Sequence, residues 1–206
     1  MICRKRRIIF VHIPKCGGTS IENALWPYEA DRTEANLWMG FVRPMYNKYQ
    51  TGGLQHLTAQ QIRTEVGPQL FETCRRFAIV RHPLARLVSQ YRYMASRPDL
   101  RGFVGLPARF DFSTYLDAIF AKAHVQWTPQ HVFLRDEEGR MLVKHIYKLE
   151  TLSQNWPGFC ADLGVKVPLL HDNKSAHAPQ PRISAADRAR VEEFYAEDYA
   201  LLDYAY

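Results

Sequence analysis

Lys15 and the hydroxyl pair Thr19-Ser20 enclose two glycines, and these residue types together suit the binding of an anion. Glycines let backbone N–H groups approach an oxyanion closely, and lysine contributes a mobile ammonium group. An apolar, β-branched run over residues 8–13 precedes the glycines, and apolar residues at helical spacing follow from Ile21. A strand, a glycine loop and a helix N-terminus capped by Thr19 or Ser20 therefore predict a phosphate-type site. The alternative is a tight turn that needs glycine for its geometry alone.

This segment differs from the phosphate-binding loop of nucleoside triphosphatases. That motif reads GxxxxGK[ST], with the lysine after the glycines and a hydroxyl group that holds magnesium. Here Lys15 precedes Gly17 and Gly18. Kinase or ATPase chemistry is therefore disfavoured.

A second candidate anion site follows the apolar run at residues 77–80. Arg81 leaves the carboxyl end of this predicted strand, which is where open α/β sheets bind ligands. Pro83 suits the first position of a helix, and Ser89 lies on that helix. A guanidinium fork and a hydroxyl group suit a terminal phosphate dianion. The alternative is that Arg81 pairs with a carboxylate and Ser89 is a neutral residue of the helix surface.

His56 lies just ahead of a predicted helix. Residues 58–61 match the capping-box pattern, and Gly67-Pro68 ends the helix that they start. A lone histidine in such a loop is usually a surface or packing residue. From the residues alone, its role stays open.

The remaining pattern predicts further elements around these candidate sites. We expect a polar loop over residues 98–107, a helix after Asp111 and a helix over residues 152–163 that Gly164 ends. Two strand-like runs, residues 130–135 and 141–149, flank a turn and predict a hairpin. Ser184 opens the last predicted helix.

Composition indicates a packed protein whose positive charge suits an anionic ligand or serves solubility alone. The chain has 206 residues, 47% of them hydrophobic and 23% charged, so we expect one domain over residues 1–206. The net charge of +6 suits a nucleotide, a polyanionic sugar or nucleic acid. Four cysteines show neither a CxxC pair nor zinc-type spacing, so we expect reduced packing thiols in a reducing compartment.

The N-terminal region shows no targeting signal. A basic cluster at residues 4–7 precedes an apolar run that is too short for a membrane span, and Pro14-Lys15 interrupts any signal-peptide core. We therefore expect a cytoplasmic protein without a membrane anchor. We expect no metal either, because lysine and arginine supply positive charge and the histidines show no HExxH-like spacing.

The two candidate anion segments resemble those of sulfotransferases that use 3′-phosphoadenosine 5′-phosphosulfate (PAPS). PKCGGTS, residues 14–20, resembles the 5′-phosphosulfate loop. FAIVRHPLARLVSQY, residues 77–91, resembles the 3′-phosphate segment, in which a strand ends in arginine and a serine follows eight residues later. The order of elements resembles the carbohydrate group that contains the heparan sulfate 2-O-sulfotransferases. This resemblance implies an α/β, three-layer, P-loop-like fold with a central, mainly parallel sheet flanked by helices.

The resemblance also implies a reaction and its residues. A sulfuryl group would pass from PAPS to a hydroxyl acceptor, expected to be a saccharide, by in-line displacement, leaving 3′,5′-ADP. His56 matches the general base of that group, and Lys15 would stabilise charge; His12, His82, His124 and His131 are the alternative bases. The implied donor site comprises Lys15, Cys16, Gly17, Gly18, Thr19, Ser20, Arg81, Ser89, Lys174 and Ser175.

Two other function classes compete with this interpretation. A module that binds PAPS or 3′,5′-ADP without transfer would keep the same loops but show no turnover. A nucleic-acid binder is suggested by charge alone, and the sequence lacks an RNP, KH or zinc-finger signature.

Overall fold

A four-stranded, mostly parallel sheet forms the centre of the protein. The computed structural model describes residues 1–38, 53–169 and 180–205. Within them the strands lie in the order β1 (Ile2–Cys3), β2 (Ile8–Val11), β3 (Arg75–Val80) and β4 (His145–Lys148). β1 is antiparallel to β2, whereas β2, β3 and β4 run parallel. With helices flanking the sheet, the predicted α/β fold with a mainly parallel sheet is confirmed.

The register of the parallel strands brings three loops to one edge of the sheet. Phe10 pairs with Phe77, and Phe77 pairs with His145. The rings of Phe10 and Phe77 stack with centroids 4.8 Å apart. All of β2 and all of β3 except Arg75 are buried, which explains why every buried position but Arg76 is apolar. The segments after Val11, Val80 and Lys148 therefore emerge together at the carboxyl edge.

Ten α-helices lie in the described residues. The predicted capping box at Thr58 starts α2, Ser184 opens α9 as expected and also forms a capping box, and Asp111 caps α6. The helices are α1 (Gly18–Leu25), α2 (Ala59–Val66), α3 (Pro68–Thr73), α4 (Pro83–Ala95), α5 (Pro98–Val104), α6 (Phe112–Phe120), α7 (Gln130–Leu134), α8 (Trp156–Leu163), α9 (Ala185–Phe194) and α10 (Ala196–Leu201). Four 3₁₀ turns, at Glu29–Asp31, Glu34–Asn36, Leu54–His56 and Leu149–Thr151, complete the described elements.

Apolar side chains form two buried clusters. One surrounds the sheet and includes Phe77 and Phe159, whose rings meet edge to face. The other lies between α4, α6 and α9, where Leu87, Leu116 and Val191 are buried. No helix of the described residues is long and apolar enough to cross a membrane.

Two predictions around α5 and α8 are wrong in detail. Residues 98–107 were expected as a polar loop, but Pro98 occupies the first position of a helix that Gly105 ends. α8 begins at Trp156 instead of residue 152, after a 3₁₀ turn, and ends at Gly164 as expected. Short helices of this kind carry too few residues for their periodicity to stand out in a sequence.

The predicted hairpin over residues 130–149 is also wrong. Residues 130–134 form α7, and only a single bridge between Arg135 and Met141 resembles the expected pairing. β4 instead pairs in parallel with β3. The first turn of α7 is capped by the distant carboxylate of Asp198, which accepts from the backbone N–H groups of Gln130 and His131. A partner 68 residues away leaves no local signal in the sequence.

The turn between β2 and α1 depends on two glycines. Gly17 caps α1 with φ of +79°, and no side chain caps the helix, so the predicted Thr19 or Ser20 cap is wrong; both residues lie in its first turn. A Cβ at Gly17 would lie 2.7 Å from Leu149 Cδ1, and one at Gly18 would lie 1.9 Å from His12 Nε2. The loop therefore requires glycine for close packing as well as for its backbone conformation.

Replacing Gly18 with alanine should lower the free energy of unfolding by about 1–3 kcal/mol, the cost of overpacking a buried position. The added methyl group must displace the His12 ring, whose Nδ1 lies 2.8 Å from Glu22 Oε1. Gly158→Ala is the matched control, because a Cβ there meets nothing within 4 Å. It should raise stability by about 0.5–1 kcal/mol, as alanine does in a helix. Urea denaturation measures both, and equal effects would contradict the packing argument.

Candidate active site

The two predicted anion segments meet at the carboxyl edge of the sheet. Lys15 follows β2 and Arg81 follows β3, the neighbouring strand. Arg81 Nη1 donates to the Lys15 carbonyl oxygen over 3.2 Å. The structure therefore brings together the two cationic residues that the sequence placed in separate strand–helix units.

Lys15 is held in an environment that disfavours its own charge. Its backbone adopts φ of +69°, and its Nζ atom lies 4.0 Å from the centroid of the Tyr93 ring. Burial lowers the pKa of Lys15 from 10.5 to about 8, and the positive charges of Arg81 and Arg97 contribute. Arg97 pairs with Asp99, but in the described residues no carboxylate forms an ion pair with Lys15 or Arg81. Such a site favours a bound anion.

Arg86 anchors the loop that carries Lys15. Its side chain is 1% exposed. Its Nε donates to the Pro14 carbonyl at 2.9 Å, while Nη1 and Nη2 donate to the carbonyls of Thr128 and Gln126 at 2.8 and 3.3 Å. Arg86 lies one turn before Ser89 on α4, and the sequence pattern assigned it no role. All three donor atoms face backbone carbonyls, so its function here is to fix the loop.

Gln130 is a contact residue that sequence reasoning missed. Its Oε1 accepts from the Arg81 backbone N–H at 2.9 Å and from Cys16 Sγ at 3.5 Å, and its Nε2 donates to the Arg81 carbonyl at 2.8 Å. Because residues 130–135 were predicted as a strand, nothing in the sequence connected this amide to the two loops.

Cys16 is buried within the first loop. Burial raises the pKa of its thiol to about 12, so the sulfur is protonated and unreactive at neutral pH. All four cysteines are unpaired, and Cys16 fits the predicted packing role.

His56 lies in the 3₁₀ turn before α2 and is 8% exposed. Its Nδ1 lies 3.0 Å from the carbonyl oxygen of His12, the residue that follows β2. Because a carbonyl oxygen only accepts, Nδ1 carries the ring proton and Nε2 carries the lone pair. Burial, with the charge of His12, lowers the pKa of His56 well below its ordinary value. The ring is therefore neutral at pH 7, with Nε2 as its unprotonated nitrogen.

The alternative histidines all have identified partners. His12 Nδ1 lies 2.8 Å from Oε1 of the buried Glu22, although the two atoms do not have the geometry of a hydrogen bond. His82 Nε2 lies 3.2 Å from the Ala205 carbonyl, and His124 accepts from the Gln126 N–H. His131 lies between two carboxylates, Asp198 and Glu197.

Of the other residues implied by the resemblance, three lie on the helices that follow the two loops and two lie outside the described residues. Thr19 and Ser20 lie in the first turn of α1, beside the loop, and Ser89 is buried on α4, one turn after Arg86. Lys174 and Ser175 lie outside the described residues. Within residues 1–38, 53–169 and 180–205, no group of three His, Cys, Asp or Glu side chains is arranged to hold a metal ion.

Comparison with known proteins gives one match. A family model described as "Sulfotransferase family" matches residues 1–205. No curated protein and no solved structure shows a significant match. The matched region includes both anion loops and His56. The chain therefore belongs to sulfotransferase family 2 and is a sulfotransferase.

Proposed function

We propose that this sulfotransferase transfers the sulfuryl group of PAPS to a hydroxyl group of a saccharide, with His56 as the general base. The observation that carries the proposal is the contact between the Lys15 loop and Arg81 at one edge of the sheet. PAPS carries anionic groups at its 5′ and 3′ positions. Two adjacent cationic segments suit the two ends of such a donor.

In this proposal the two segments divide the donor between them. Lys15 and the N–H groups of residues 17–20, at the N-terminus of α1, hold the 5′-phosphosulfate. Arg81 and Ser89 hold the 3′-phosphate, and Lys174 and Ser175 complete the donor site. The low pKa of Lys15 and the lack of an ion-pair partner among the described residues fit an anionic ligand.

His56 supplies the proton acceptor for the reaction. The bound donor supplies an activated sulfuryl group. As the acceptor oxygen forms its bond to sulfur, the bond from sulfur to the bridging phosphate oxygen breaks, and the hydroxyl proton passes to His56 Nε2. Lys15 stabilises the negative charge that develops on the bridging oxygen. The hydrogen bond from Nδ1 to the His12 carbonyl keeps Nε2 as the basic atom.

The saccharide acceptor is supported by the resemblance to carbohydrate sulfotransferases. An incubation with PAPS and a panel of saccharides tests the whole proposal, with 3′,5′-ADP release and sulfated product as readouts. Product formation that requires both substrates supports it. Tight binding of 3′,5′-ADP without transfer to any saccharide would leave the binding-module alternative in its place.

Affinity for 3′,5′-ADP should fall as the pH rises from 7 to 9. With a pKa of about 8, Lys15 is cationic below this range and neutral above it. Deprotonation of Lys15 should weaken binding by up to about 10-fold over this range, since that is the largest change that linkage to one group with a pKa of about 8 allows between pH 7 and pH 9. Calorimetry at both pH values measures the effect. In Lys15→Met the fall should disappear, and an unchanged fall in that variant would assign it to another group.

Replacing His56 with glutamine should lower kcat by about 10²–10⁴, the range for losing a general base. Glutamine keeps an N–H donor for the His12 carbonyl but has no basic nitrogen, so the dissociation constant of 3′,5′-ADP should change little. His145→Gln, on β4, is the matched control and should keep full turnover. A parallel collapse of nucleotide binding in His56→Gln would show that His56 is structural.

A further inference from the structure

We infer that Gln130 is a positioning residue that sets the spacing between the two anion-binding loops, an inference that rests on the proposed function. Its side-chain amide contacts both loops at once. Oε1 accepts from the Arg81 N–H and the Cys16 thiol, at 2.9 and 3.5 Å, and Nε2 donates to the Arg81 carbonyl at 2.8 Å. The amide therefore engages both backbone polar groups of Arg81, as a neighbouring strand would.

These contacts need one hydrogen-bond acceptor and one donor side by side, which an amide provides. Gln130 is 0% exposed, and both of its side-chain polar atoms are used within the protein. A carboxylate of the same shape would accept from the Arg81 N–H but would place a second acceptor against the Arg81 carbonyl. An apolar side chain of similar length would leave both groups of Arg81 without this partner.

Gln130 is itself fixed by the C-terminal helix. Its backbone N–H donates to Asp198 Oδ2 at 2.7 Å, and Asp198 Oδ1 accepts from the N–H and Nδ1 of His131 at 2.8 and 2.9 Å. Asp198 lies on α10 and is fully buried. Three donors to one buried carboxylate make a shift of the first turn of α7 costly. α10 thus fixes Gln130, and Gln130 fixes the loops.

The effect of Gln130 on binding affinity should depend on how many anionic groups the ligand carries. A ligand with two anionic groups needs both loops at one separation, whereas a ligand with a single group needs only one loop. If Gln130 sets that separation, its loss should affect 3′,5′-ADP far more than 5′-AMP. Simple destabilisation of the fold would weaken both ligands alike.

Calorimetric titration of the full chain with 3′,5′-ADP and 5′-AMP tests the inference through the ratio of their dissociation constants. In Gln130→Met and Gln130→Glu, the preference for 3′,5′-ADP should fall by about 10- to 100-fold, the range for residues that orient a binding group without touching the ligand. The dissociation constant of 5′-AMP should change little. A preference retained in both variants would overturn the inference.

Leu134→Ala controls for stability, because Leu134 is fully buried on the same helix but gives no side-chain bond to either loop. Thermal unfolding should show a loss of stability at least as large as in the Gln130 variants, while the preference for 3′,5′-ADP stays at the wild-type value. An equal loss of preference in Leu134→Ala would overturn the inference. Wild-type protein that fails to bind 3′,5′-ADP would refute the proposed function itself, which separates the two failures.

Discussion

The site depends on two partly buried cations, Lys15 and Arg81. They lie at the ends of neighbouring parallel strands. Keeping Lys15 charged at neutral pH costs about 3 kcal/mol, as judged from its pKa of about 8 against an ordinary 10.5. Repulsion from Arg81 is part of this cost, and within the part of the chain that the structure describes the contacts that hold the two side chains are neutral, namely the Lys15 carbonyl and the Tyr93 ring. A bound anion offsets the burial and the repulsion together, which makes anion binding the natural property of the site.

Neutral groups also determine where these cations lie. Arg86 donates to three backbone carbonyls around the first loop, and the Gln130 amide joins that loop to Arg81. Uncharged partners position the loops without neutralising Lys15 or Arg81, so the positive potential remains available to a ligand. The buried carboxylate of Asp198 instead accepts hydrogen bonds from the backbone N–H groups in the first turn of α7 and from the His131 ring.

The sequence predicted the features that local chemistry determines. Alternation of apolar runs with glycine, proline and capping residues located β2, β3, α2 and α4, and parallel pairing then brought Lys15 and Arg81 to one edge. The helix α7 was not predictable in this way, because its cap, Asp198, is distant in the chain. Gln130 and Arg86 were missed for the same reason: their partners are backbone groups of other segments, which leave no residue pattern. His56 could be located before a helix, but its tautomer follows only from the His12 carbonyl.

In the proposed function, Lys15 and Arg81 bind opposite ends of one donor molecule. The affinities of Lys15→Met and Arg81→Met for 5′-AMP, 3′-AMP and 3′,5′-ADP test this arrangement. We expect Lys15→Met to weaken the ligands with a 5′-phosphate, Arg81→Met to weaken those with a 3′-phosphate, and both to weaken 3′,5′-ADP. If both variants weakened the same monophosphate and spared the other, the two residues would form a single anion site and would not bind the two ends of one molecule.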